Sequence, residues 1–150
     1  MHIETRWMRR EDVPQAVKMM QDNGEDESEK GLKRMLDKAS VACVVALSED
    51  KFLGFLMYDV ARVSKIKIIS LMVDENHRRQ GVGTRMIYLA TSKLNPKRNK
   101  VELVVSEYNL GAQLFLRSMG FKAVSVVDRS PDPSEYKFVY RFSQMVEEGV

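Results

Sequence analysis

The sequence predicts a mixed α/β (α+β) protein, one central sheet covered by helices. Three observations predict it. The apolar patterns run β-α-α-β-β-β-α-β-α-β-β along the chain, an order that builds a mixed sheet with helices against it. A glycine-rich turn separates a β-branched run from a helical segment. The 150 residues are 44% hydrophobic and 30% charged, the size and composition of a single ordinary globular domain spanning residues 1–150, with its core over about 3–142.

Each element has its own signal. Residues 3–8 read as a short first strand. A helix starts near Glu11 and Asp12, whose carboxylates suit a helix N-terminus, with Pro14 in its first turn. Val13, Ala16, Val17 and Met20 follow at helical spacing. A second helix over residues 28–38 sets Leu32, Met35 and Leu36 on one face. Two strand-like runs, 41–47 and 52–60, flank the polar turn Ser48-Glu49-Asp50-Lys51, which predicts an antiparallel hairpin. Residues 66–73 form a third long β run, rich in β-branched side chains. A helix over about 83–94 ends at Asn95-Pro96. Residues 101–106 read as a strand. Asn109 opens a helix to about Met119, and Gly120 stands where a C′ glycine belongs. Residues 124–127 and 138–142 complete the sheet. Two stretches read as loops, the acidic 22–29 and the turn-rich 128–134.

Composition narrows the function. No run of 18 apolar residues is present, so no membrane span is expected. The first residues lack the pattern of a secretory leader, and a lone cysteine, Cys43, fits a reducing cytoplasm. Cys43 lies in an apolar strand and reads as a buried small hydrophobe. The net charge of +3 is too slight to signal nucleic acid. Lys97, Arg98 and Lys100 read as a solvated loop, with a docking surface for an acidic partner as the alternative. No cluster has metal-ligand spacing: His2 and His77 are 75 residues apart.

The turn after residue 73 carries the chemistry. Its sequence is Asp74-Glu75-Asn76-His77-Arg78-Arg79-Gln80-Gly81-Val82-Gly83-Thr84. Two glycines one residue apart permit positive φ and close backbone approach. The first N–H groups of the following helix have no intrahelical partner, and the helix dipole favours an anion there. Arg78 and Arg79 add positive charge. A dinucleotide fingerprint needs G-x-G-x-x-G directly after a strand, but Met86 holds the third glycine position and seven residues separate Val73 from Gly81. A P-loop needs G-x-x-x-x-G-K-[ST], which is absent.

The segment Leu71-Met72-Val73 followed by R-R-Q-G-V-G-T resembles the acetyl-CoA signature [QR]-x-x-G-x-[GA] of the Gcn5-related N-acetyltransferases (GNAT). Arg78 takes the first position, and Gly81 and Gly83 the glycine positions. A second signature of that family resembles Asn109-Leu110-Gly111-Ala112 with Phe115 and Met119-Gly120-Phe121. Within the family the chain is most similar to the ribosomal-protein-alanine N-acetyltransferases (RimI-like). The likeness lies in Trp7-Met8-Arg9-Arg10-Glu11-Asp12, Gly54-Phe55-Leu56-Met57-Tyr58 and the G-F-K-A-V-S-V segment.

The resemblance implies a fold, a cofactor and a reaction. The fold is a mixed sheet flanked by four helices and splayed between its fourth and fifth strands, with a bulge in the Leu71–Val73 strand. Acetyl-CoA is the implied cofactor. Its pantetheine lies in the splay against Leu71, Met72 and Val73, and the backbone of Arg79, Gln80, Gly81, Val82, Gly83 and Thr84 cradles its diphosphate beside Arg78. Asn109 contacts it near the thioester arm, and Leu116 and Arg117 flank it, Arg117 toward a phosphate. The implied reaction is attack of a primary amine on the thioester, with a backbone N–H near Met72 or Val73 serving the oxyanion. A protein or peptide N-terminus is the implied acceptor. A homodimer through the late strands is one implied state.

The chain departs from its relatives at the proton-transfer positions. The tyrosine expected to protonate the thiolate is Leu116; the expected glutamate is Val104, and an expected arginine is Ser106. Glu102 shares the strand face of Val104. It reads as a surface or sheet-end carboxylate, with a base acting through water as the alternative. Tyr136 and Tyr140 on the last strand are candidate acids, with packing as the alternative reading. His77 reads as a residue that orients the turn, and Glu107 as a capping or solvated residue. Two functions follow: an N-acetyltransferase, or a module that binds acyl-CoA without turning it over.

Overall fold

A computed structural model describes residues 2–147. The strands are β1 (Glu4–Trp7), β2 (Val41–Ser48), β3 (Lys51–Asp59), β4 (Lys65–Val73), β5 (Lys100–Ser106), β6 (Lys122–Val127) and β7 (Glu135–Arg141). The helices are α1 (Val13–Asp22), α2 (Glu29–Leu36), α3 (Val82–Thr91), α4 (Leu110–Ser118) and α5 (Phe142–Glu147). The seven strands form one sheet in the order β1-β2-β3-β4-β5-β7-β6. β4 and β5 are parallel; β1–β2, β2–β3, β5–β7 and β6–β7 are antiparallel. The predicted mixed sheet with helices is therefore present. No helix among the described residues is long and apolar enough to cross a membrane.

The chain divides into two compact units, one running to Ala61 and including Ile68–Met86, the other made of Arg62–Lys67 and the residues from Ile87 onward. β4 and α3 each run from one unit into the other.

In the first unit, α1 and α2 cover β2 and β3. Val13, Ala16, Val17 and Met20 of α1 and Leu32 of α2 pack with Cys43, Val45, Phe52, Phe55 and Met57. The i, i+3, i+4 spacing of the α1 residues makes this one apolar stripe. A 3₁₀ turn, Arg10–Asp12, precedes α1. Asp12 is buried there. It accepts from Arg6 Nη1 at 2.7 Å, Arg6 Nη2 at 3.1 Å and the Arg9 N–H at 2.7 Å. Burial pushes its carboxyl up, but the Arg6 and Arg9 hydrogen bonds outweigh that and hold it below the usual range. Ser28 caps α2 by accepting from the Gly31 N–H at 3.0 Å. Glu49 and Asp50 both have positive φ, 51° and 65°, as a two-residue hairpin turn of type I′ requires. The hairpin register shifts between Ala46 and Leu47, so that Ala46 pairs with Gly54 and Leu47 with Phe52, leaving Leu53 as an extra residue on β3.

In the second unit, β5 lies between the start of β4 and β7. Three residue pairs join β4 to β5, from Lys65↔Lys100 to Lys67↔Glu102, whereas seven join β5 to β7. Buried Ile87, Ala90, Val101, Leu116, Phe121 and Phe138 form the apolar interior. Asn109 caps α4, its Oδ1 accepting from the Ala112 N–H at 3.1 Å. Gly120 follows α4 at φ 91°, the left-handed conformation of a C′ glycine.

The resemblance implied four helices; the structure has a fifth. The last strand stops at Arg141 and Phe142 opens α5. The Gln144 side chain holds this junction, accepting from the Arg141 N–H at 3.0 Å and donating to the Gly120 carbonyl at 2.8 Å.

Candidate active site

In the first unit, β4 leads into the glycine-rich turn. Ile69 and Met72 pack against the same apolar cluster although they are three residues apart. In an unbroken strand, residues at odd spacing face opposite sides. The alternation therefore slips between them, the kind of break a bulge makes. Gly54 on β3 meets this break: a Cβ there would overlap the Met72 carbonyl oxygen. One residue on, the Asp74 N–H donates to the Leu53 carbonyl at 2.7 Å. Leu71, Met72 and Val73 are half-buried.

The turn itself is exposed from Arg78 to Gly81. Two residues take the left-handed conformation, Arg79 at φ 67° and Gly81 at φ 87°. Gly83 does not need that freedom, because α3 begins at Val82. The Arg85 N–H donates to the Gly81 carbonyl at 3.0 Å, the opening hydrogen bond of α3. The N–H groups of Val82, Gly83 and Thr84 precede it and have no helical partner. Left-handed residues ahead of such a helix start fold successive N–H groups into a concavity that can hold an anion. Val82 is buried, 1% exposed as a whole residue, so the accessible residues of this helix start are Gly83 and Thr84, both half-buried. Arg78 Nη2 reaches the Asn23 Oδ1 at the end of α1, at 3.3 Å. His77 Nδ1 lies 2.5 Å from Asp74 Oδ2, which ties the ring to the start of the turn. Gln80 is exposed and Thr84 half-buried.

In the second unit, Asn109, Leu116 and Arg117 lie on α4 or its cap. With Oδ1 committed to the cap, the Asn109 side chain has the two hydrogens of Nδ2 to offer. Leu116 is 2% exposed, so its side chain offers a ligand almost no surface. The Arg117 guanidinium lies 5.8 Å from the centre of the Phe138 ring, a cation–π contact. Gln113 is buried and donates to the carbonyls of Ser106 and Glu107 at 3.1 and 3.0 Å, fixing the link from β5 to α4. Nothing in the sequence marked Gln113, because its partners are carbonyls six and seven residues away.

The structure corrects the surface reading of Glu102. It is 5% exposed, and its carboxylate meets the Lys65 ammonium at 2.5 Å. Burial pushes its carboxyl up, but the Lys65 hydrogen bond dominates and holds it below the usual range. A carboxylate so stabilised is a weak base. Tyr136 is half-buried on β7, opposite Val105 of β5 and Val126 of β6. Tyr140 is buried with its ring centre 5.6 Å from that of Phe121, which is packing. The Glu107 N–H donates to the Ser134 carbonyl at 2.9 Å. Cys43 is buried, and burial pushes its thiol up to about 12.

The sequence profile described as "Acetyltransferase (GNAT) family" matches residues 5–121. The chain belongs to the GNAT family of acetyltransferases. No curated protein matches it in sequence. Among solved structures it is similar to Ard1 from Thermoplasma volcanium, with a TM-score of 0.83 at 19% identity over 94% of this chain and 98% of that one. It is similar to NAA60 from Arabidopsis thaliana in complex with acetyl-CoA, with a TM-score of 0.80 at 16% identity over 95% and 99%. The ribosomal-protein-S18-alanine N-acetyltransferase from Escherichia coli gives 0.79 at 16% identity over 94% of each chain. At these identities the likeness is one of fold. It is the GNAT fold, as the two signatures imply. Both lie on the elements the resemblance assigns them, R-x-x-G-x-G at the start of α3 and N-x-x-A at the start of α4.

Proposed function

We propose that the chain transfers acetyl from acetyl-CoA to a primary amine, and that the acceptor is a protein or peptide N-terminus. The observation that carries the donor is the pair of left-handed residues, Arg79 and Gly81, ahead of the first turn of α3, whose opening N–H groups have no intrahelical partner. That backbone suits a diphosphate, and Arg78 and Arg79 bring two positive charges to it. NAA60, of like fold, is solved with acetyl-CoA. Support for the acceptor is the likeness in fold to an alanine N-acetyltransferase and the Trp7-to-Asp12 and Gly54-to-Tyr58 segments.

In this reading the chain binds and orients more than it moves protons. A backbone N–H near Met72 or Val73, at the break in β4, would serve the oxyanion. Asn109 Nδ2 donates to the cofactor arm, and Arg117 serves a phosphate. Glu102 is withdrawn as a base by Lys65; the half-buried Tyr136 is kept as a candidate acid. Coenzyme A can also leave as thiolate.

The test is direct. Purified protein is incubated with acetyl-CoA and a panel of peptides with free N-termini, and products are weighed by mass spectrometry. Acetylation that Gly81→Trp abolishes and Tyr136→Phe slows is the expected result. Tight coenzyme A binding with no turnover on any amine would show instead a module that binds acyl-CoA without catalysis.

A further inference from the structure

We propose that His77 is a positioning residue for the phosphate turn: held by Asp74, its ring fixes the backbone that runs on into Arg79 and Gly81. The proposal rests on the reading of that turn as the diphosphate site.

The contacts form a chain of ties. The Asp74 N–H donates to the Leu53 carbonyl of β3 at 2.7 Å, which anchors the start of the turn to the sheet. The His77 N–H donates to the Asp74 carbonyl at 2.9 Å and closes a 3₁₀ turn. The imidazole then returns to the same residue, Nδ1 lying 2.5 Å from Asp74 Oδ2. A carboxylate only accepts, so Nδ1 carries the hydrogen. His77 also lines a surface hollow of about 610 Å³, together with Leu53 and with Glu49 and Asp50 of the β2–β3 turn.

Burial shows where this matters. The His77 side chain is 17% exposed, whereas Arg78, Arg79, Gln80 and Gly81 are all exposed. Exposed residues make few contacts with which to hold a shape. Arg79 nevertheless adopts a left-handed conformation, which a residue with a Cβ keeps only where its surroundings impose it. On one side of Arg79 and Gly81 stands the buried Val82; on the other stands His77. The Arg78–Asn23 contact, at 3.3 Å and exposed, adds a weaker tie. His77 and Val82 thus bracket the strained backbone, and only His77 does so through a side-chain hydrogen bond. Losing that bond leaves the turn free to relax, and a turn that must be re-ordered binds its anion less tightly.

The test separates a positioning role from general damage. Coenzyme A binding is measured by calorimetry. Acetyl transfer is timed with two donors, acetyl-CoA and S-acetylpantetheine, the latter having the thioester but no diphosphate. His77→Ala should weaken coenzyme A about tenfold and raise the KM for acetyl-CoA by a similar factor. It should leave kcat at saturation and the KM for S-acetylpantetheine as they were. His77→Asn, whose Nδ2 can replace the imidazole Nδ1–H, should recover most of the affinity. Asp74→Ala should match His77→Ala, and the double variant should be no worse than either, because the two act as one tie. Asp74→Ala also serves if His77→Ala does not fold. Binding by His77→Ala within about twofold of wild type, or equal losses with both donors, overturns the proposal. A wild type that does not bind coenzyme A, or a Gly81→Trp variant that binds it equally well, overturns the reading of the turn itself and the proposal with it.

Discussion

Lys65 Nζ lies 2.5 Å from Glu102 Oε1, with the two side chains 24% and 6% exposed. They meet across the short parallel ladder, where Lys67 is the register partner of Glu102. Removing one member of a buried pair strands the other charge, at a cost of about 3–5 kcal/mol. Lys65→Met is therefore expected to lower stability by that amount in urea unfolding. Lys65→Met combined with Glu102→Leu should recover most of it, since an apolar pair of similar volume needs no compensation. A single variant that costs less than about 1 kcal/mol would mean the carboxylate is far better hydrated than its burial indicates.

Acid should unfold the protein through two identified carboxyls. Glu102 and Asp12 are both held below the usual carboxylate range by cationic partners, Lys65 and Arg6. A group depressed in the folded state contributes stability above its unfolded value and loses it as pH falls through the folded one. Unfolding free energy should thus be flat from neutrality to about pH 5 and fall below about pH 4. Asp12→Asn removes one contribution and should make that fall shallower. An equally steep fall in the variant would exclude Asp12.

Two glycines should respond to alanine in different ways. At Gly81 a Cβ meets nothing within 4 Å, so the cost is the left-handed backbone alone, about 1–2 kcal/mol. At Gly54 the Cβ overlaps the Met72 carbonyl oxygen, and neither strand can give way without breaking its ladder. Gly54→Ala should destabilise more than Gly81→Ala and disturb the break in β4. Thermal unfolding of the two variants ranks them; the reverse ranking would mean that β3 and β4 separate at little cost.

Cys43 should be inert in the folded protein. Thiolate is the reactive form, and burial raises this thiol to about 12. Labelling with a thiol reagent at neutral pH should proceed at the rate of unfolding and accelerate in urea. Rapid labelling without denaturant would contradict the burial of β2.

Local chemistry made much of this legible in advance. The Asn109 cap and the C′ position of Gly120 depend on hydrogen bonds within a few residues, so residue type and spacing reveal them. The apolar stripe of α1 and the polar turn of the β2–β3 hairpin are legible for the same reason. What stayed hidden depends on distant partners. Glu102 is buried because Lys65, 37 positions earlier, neutralises it. α5 forms where Gln144 reaches Gly120, 24 positions away. The left-handed Arg79 has no signature, because arginine does not favour that conformation. At the proposed site, the signatures located the turn and the cap but not the buried Gln113 that holds the second of them in place.

The apolar side chain at Val104 bears on which amines the proposed reaction would favour. Without the expected glutamate at Val104, an amine that arrives already uncharged is the one that needs no base from that position. At pH 7.5 roughly a third of peptide α-amino groups are uncharged, against about one lysine ε-amino group in a thousand. Acid–base populations in solution would then favour chain termini over lysine side chains by about 300-fold, before any contact with a binding groove. Competition between a free N-terminus and a lysine in one peptide reads this directly, and raising the pH should narrow the gap.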